Sequence, residues 1–181
     1  MTLSYFALVA MVFVVASYGI LYPVSVTVED PSLSRFALNG TSSALAYDLS
    51  LTVYVDNPNS AMRAVNTKPL NADLRFAGAR LAAKGHAIGK ASTDQFYLKA
   101  AGEVDDLGSD GVAELVKETV AGTLESLEIK IYGEVMYRPV HLGRYKLSFT
   151  CPLKLQIAPP NVVVLGNVIN CYCSMIIVSP D

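Results

Sequence analysis

From Leu3 to Tyr22 the chain reads LSYFALVAMVFVVASYGILY, and no charged side chain precedes Glu29. A helix rises about 1.5 Å per residue, so this run reaches roughly 30 Å, the thickness of a bilayer's hydrocarbon core. Tyr5, Tyr18 and Tyr22 fall near its ends, where amphipathic rings favour the membrane interface. Pro23 stops the helix. The pattern predicts a transmembrane anchor and stub over residues 1–23. The rival reading is a cleaved signal peptide, which needs a basic start and an apolar run of roughly 7–15 residues. Met1-Thr2 supplies no Lys or Arg, and Ser17-Tyr18-Gly19 is a weak cleavage site.

Beyond the anchor the rhythm changes to period two, the mark of strands with one buried face. Tyr47, Leu49, Leu51, Val53 and Val55 share one face, and the segment ends at Asn57-Pro58-Asn59-Ser60, which is turn chemistry. Leu70, Ala72, Leu74 and Phe76 alternate with polar neighbours, and Gln95–Leu98 reads as a shorter strand. The pattern returns at Leu127, Ile129, Ile131, Gly133, Val135 and Tyr137, and again at Tyr145, Leu147, Phe149, Cys151, Leu153, Leu155 and Ile157. Pro152 has no N–H to give a ladder, so it predicts an edge position or a bulge. In Gly111–Gly122, Val112, Leu115, Val116 and Val120 recur at helical spacing, which predicts packing on a sheet, with Asp110 as N-cap and Gly122 as stop. The sum is an all-β antiparallel sandwich of about seven strands with one short helix before the sixth, over residues 24–160. Residues 161–181 read as an atypical apolar C-terminal tail.

Composition narrows the class. Apolar residues make up 52% of the 181 and charged residues 17%, too apolar for a disordered chain. Lys+Arg 14 against Asp+Glu 16 gives a net charge of −2, which argues against nucleic acid as a partner.

The chemistry-bearing residues give little to an enzyme. The sequence has no Gly-x-Ser-x-Gly elbow and no Gly-rich phosphate loop. His86 and His141 lie far apart, beside glycines, and read as solvated loop residues; with no Cys/His/Asp cluster at ligand spacing, no metal and no cofactor are expected. The acidic stretch Glu103–Gly111 invites a calcium reading, since Asp110 and Gly111 match two positions of an EF-hand loop begun at Asp106. However, Gly108 and Lys117 stand where two ligands belong, so a solvated loop entering a helix is the simpler reading. The Asn57-Pro58-Asn59 turn is either a recognition loop or, more simply, a turn held by its own side chains. Cys151 falls on the core face and reads as a buried thiol. A bridge to Cys171 or Cys173 is open if the tail folds back. The sequon Asn39-Gly40-Thr41 is a glycosylation candidate and fits a domain outside the cell.

Taken in order, these features resemble the plant late embryogenesis abundant group 2 domain, and within it the membrane-anchored non-race-specific disease resistance and harpin-induced-like family. The resemblance rests on the apolar anchor, the strand ending in Asn57-Pro58-Asn59, and Phe96-Tyr97 after Gln95. It continues through the strand Leu127–Tyr137, His141-Leu142-Gly143-Arg144-Tyr145-Lys146, and Cys151-Pro152-Leu153-Lys154-Leu155. It implies a fibronectin type III-like sandwich on one anchor at the plasma membrane, outside the cell, without enzymatic activity and linked to defence and stress. Two features depart from the family: the arm before its anchor is longer, and its last strand is unlike Val162–Asp181.

The expected function is therefore tethered interaction with a protein or cell-wall partner, where confinement raises effective concentration. One alternative is lipid binding, in an apolar slot between the sheets or beneath the helix, for which the high apolar fraction and the small residues Ala77, Gly78, Ala79, Ala82 and Ala83 leave room. Another is desiccation protection, against which the ordered β pattern argues.

Overall fold

The computed structural model describes residues 2–38, 43–59, 61–86, 93–139, 141–158, 161–164 and 168–178. Helix α1 spans Thr2–Gly19. Strands β1 Ser25–Leu38, β2 Leu45–Asp56, β3 Arg63–Phe76, β4 Ala79–His86 and β5 Thr93–Val104 follow. After helix α2, Gly108–Ala121, come β6 Thr123–Arg138, β7 His141–Ala158, β8 Asn161–Val164, β9 Val168–Asn170 and β10 Tyr172–Val178.

The strands form two antiparallel sheets. The smaller has the order β5-β2-β1-β9, and the larger has β10-β7-β6-β3-β4, with β8 also on β7. The alternation in the sequence is what buries one face of each. Leu45, Tyr47, Leu49, Leu51, Val53 and Val55 of β2 join Leu70, Leu74 and Phe76 of β3, and Ile129, Ile131 and Phe149 from β6 and β7, in one continuous core. This arrangement is compatible with a β-sandwich. Two tyrosines reach across it: Tyr47 Oη donates to the carbonyl of Leu81 at 2.9 Å, and Tyr137 Oη accepts from Val24 N at 3.2 Å. Phe36 and Phe76 meet edge-on between the sheets, 5.2 Å apart.

Several expectations need revision. The tail is part of both sheets: β9 pairs with β1 and β10 with β7, so the folded body runs beyond residue 160. Its apolar composition suits strands that close a sandwich. Pro152 lies within β7 at a local edge, as expected: among the described residues β10 pairs up to Thr150 and β8 from Leu155, so on that side β7 has no partner between them. Helix α2 starts at Gly108, earlier than expected, so Asp110 lies in its first turn and is no N-cap; Gly122 closes it at φ 75° as expected. Of its apolar residues only Leu115 is buried, while Val116 and Val120 are exposed. The strand read at Gln95–Leu98 extends over Thr93–Val104. Strands β1 and β4 had no clear period-two signal. In β1 the bulge near Asp30 (φ 49°) and Pro31 breaks the alternation, and β4 is mostly small residues.

Helix α1 ends at Gly19, short of Tyr22, and no helix among the described residues is long and apolar enough to cross a membrane. Its side chains stand in the open: Phe6, Leu8, Met11 and Phe13 are 62–70% exposed.

Candidate functional site

Asn57-Pro58-Asn59 joins β2 to β3, and its side chains do hold the turn. Asn57 Nδ2 donates to the Met62 carbonyl at 2.7 Å, while Asn57 Oδ1 accepts from both Asn59 N and Asn59 Nδ2. Asn59 does more. It is 6% exposed, and its amide pairs with both backbone groups of Tyr22: Nδ2 donates to Tyr22 O at 2.7 Å and Oδ1 accepts from Tyr22 N at 2.9 Å. The turn is thus a clasp on the chain leaving α1. One asparagine amide supplies a donor and an acceptor at once, and so satisfies both backbone groups of one residue.

The outer face of the larger sheet is the second polar construction. Cross-strand rows place Asn71, Tyr132 and Ser148 side by side, with Lys68, Glu134 and Lys146 beside them. Asp73 and Glu134 are 3% and 4% exposed. Asp73 accepts from Arg80 Nη2 at 2.9 Å and lies near Arg75 and the Tyr132 hydroxyl. Glu134 accepts from the Thr67 hydroxyl at 2.6 Å and meets Lys68 at 3.3 Å and Arg144 at 3.9 Å. The Thr67 hydrogen bond, with Lys68 and Arg144 behind it, holds the Glu134 carboxyl below its ordinary pKa despite burial. It is therefore an ionised structural charge and a poor proton donor at neutral pH.

This face carries Lys68, Arg75, Arg80, Lys130, Arg144 and Lys146 against Asp73, Glu128 and Glu134. Six cations thus face three carboxylates, in a chain of net charge −2, around a cavity of about 380 Å³ that opens between Pro69, Tyr132, Glu134 and Lys146. Gly133 makes this geometry attainable, since a Cβ there would stand 2.5 Å from Leu70 Cδ2 and 3.3 Å from Pro69 O.

No family model matches the chain, and no curated protein matches it.

The remaining candidate residues fall apart from one another. Asn39 lies outside the described residues, as do the side chains of His86 at the end of β4 and His141 at the start of β7. Asp106 accepts from Gly108 N at 2.9 Å and the Ser43 hydroxyl at 2.8 Å, and these bonds, the first above all, lower its pKa. It ties the start of α2 to the chain before β2. Among the described residues no group of three or more His, Cys, Asp or Glu is placed to hold a metal ion. Cys151 is no free thiol: it is bridged to Cys171, where the chain passes from β9 to β10 and Cys171 N donates to Val26 O. The side chain of Cys173 lies outside the described residues. The small residues of β4 do leave a space, of about 220 Å³, lined by Ala72, Leu74, Ala82, Ala83, Leu98 and Ala100. That is below the roughly 300–1,000 Å³ of ligand pockets.

Sequence reasoning missed Tyr22 as the partner of Asn59, and the buried carboxylates Asp73 and Glu134. Both carboxylates sit at outward positions of alternating strands, which ordinarily signals solvent. The available hint was the density of cations on the same face of neighbouring strands.

Proposed function

We propose that the chain is a membrane-anchored, non-enzymatic interaction protein. Its anchor is residues 3–22, and its folded body is a fibronectin type III-like sandwich related to the late embryogenesis abundant group 2 domain. It stands outside the plasma membrane and engages a protein or cell-wall partner in defence and stress responses. One observation carries this reading: an apolar helix with exposed side chains is fastened to a well-packed β body by the Asn59 amide on Tyr22. Burying such a helix in lipid stabilises it by about 25 cal/mol for every Å² of apolar surface taken out of water. At about 1.5 Å per residue α1 is roughly 27 Å long, close to the roughly 30 Å of a hydrocarbon core, and Ile20–Tyr22 lead from it to the clasp at the interface. The net-positive outer face of the larger sheet is the surface offered to a partner, and electrostatic complementarity there favours an anionic one.

Alkaline carbonate extraction of plant membranes tests the anchor. The full chain is expected to stay in the pellet and to be released by detergent; recovery in the carbonate supernatant overturns the reading. Glycosidase treatment adds the compartment: a mobility shift that disappears in Asn39→Gln supports a lumenal or external body.

A further inference from the structure

The chain leaving α1 is gripped at two points, and each grip has an arginine close by in sequence. Asn59 holds Tyr22, and a few residues on Arg63 opens β3. Tyr137 holds Val24, and the next residue, Arg138, closes β6. Arg63 and Arg138 are direct cross-strand partners. Like charges facing each other in this way repel.

Five other cations of the larger sheet are answered, while Lys146 and Lys154 of β7 have no ion pair among the described residues. Lys68 and Arg144 meet Glu134, Arg75 and Arg80 meet Asp73, and Lys130 meets Glu128. Among the described residues neither Arg63 nor Arg138 has an ion pair or a side-chain hydrogen bond. Both line a cleft of about 550 Å³ whose other walls are Ala61, Val65 and Pro139. Among the described residues no carboxylate lines that cleft, so an anion entering it meets two guanidinium groups and aliphatic surface.

We propose that Arg63 and Arg138 bind the phosphate of a phospholipid head group. A guanidinium presents a planar fork of donors that matches phosphate oxygens in pairs, and two of them on adjacent strands relieve their mutual repulsion by sharing one anion. The aliphatic walls suit the glycerol beside that phosphate. The assignment to lipid, and not to free phosphate, rests on the anchor reading: with α1 in the bilayer, the clasped segment Tyr22–Val24 lies at its surface, and the arginines beside the two clasps lie at head-group depth.

The test uses the full chain in non-ionic detergent micelles, titrated with short-chain phosphatidic acid and, separately, with inorganic phosphate, and read by native mass spectrometry. Phosphatidic acid is expected to bind singly, about tenfold weaker in the R63Q/R138Q double variant, and inorganic phosphate to bind about tenfold weaker than the lipid. The R63K/R138K variant keeps the charge without the fork and is expected to fall between. The glutamine double variant should melt no lower than the native chain, since it removes a repulsion. Equal phosphatidic acid binding by native chain and glutamine variant overturns the site. Equal affinity for phosphate and lipid overturns the head-group assignment. Recovery of the chain in the carbonate supernatant sinks the anchor and leaves the binding result standing, so the two failures are distinguishable.

Discussion

Asn59 and Tyr22, separated by 37 positions in the chain, are joined by two hydrogen bonds of 2.7 and 2.9 Å from one side-chain amide to one backbone residue. This relationship sets the path of the chain between the apolar helix and β1. It also converts a tight turn into a fastening between segments distant in sequence.

Asn59→Ala is expected to strand both backbone groups of Tyr22 and to release Asn57 Oδ1. Tyr22 is 54% exposed, so water can take up part of the loss, and each lost hydrogen bond is worth about 0.5–1.5 kcal/mol. The prediction is a lower melting temperature and faster amide exchange at Tyr22. Asn57→Leu should lower stability too, through the lost bond to Met62 O. A melting temperature unchanged in both variants would contradict the clasp.

The Cys151–Cys171 bridge closes a loop of 20 positions and ties β7 to the crossing between β9 and β10. On chain-entropy grounds a loop of that size is worth about 3 kcal/mol. Reduction, or Cys171→Ser, is expected to lower the melting temperature and to loosen β9 and β10 before the rest, as amide exchange along Val168–Val178 would register.

Much of this was legible in advance. The buried faces of β2, β3, β6 and β7 follow from strict alternation, because each strand has one face on the core and a period of two cannot be mistaken over so many residues. Helix α2 and its Gly122 stop followed from helical spacing and the left-handed cap. What escaped was non-local. Whether Cys151 meets Cys171 depends on a tail returning between two sheets, and nothing in the tail's own composition encodes its strand partners. The Asn59 clasp was half visible: turn chemistry marked the residue, but its partner lies before β1.

Glu134 gives a pH dependence. Its folded pKa lies below the ordinary carboxylate value of 4.5, so protons bind the unfolded state more readily. Its contribution is present above that ordinary value and is lost as pH falls through the depressed folded value. Glu134→Gln is expected to flatten the fall of melting temperature in that acidic window, and to lower stability at neutral pH by leaving Lys68 and Arg144 unanswered. An unaltered acid limb would show that Glu134 does not supply it.

Asn66 in β3 has both side-chain polar atoms buried with no hydrogen-bond partner among the described residues. Asn66→Leu, similar in size and without polar atoms, is expected to stabilise by about 1–3 kcal/mol. Denaturant unfolding would record this as a higher midpoint at unchanged slope. A lower midpoint would mean that the amide has a partner, such as water, in solution.

Residues 3–22 are proposed to lie in a bilayer with the sheets outside the cell. Trypsin added to intact plant protoplasts expressing the full chain tests it most directly. The β body is expected to be cut without detergent while a cytosolic marker survives. A body left whole until detergent opens the membrane would contradict it.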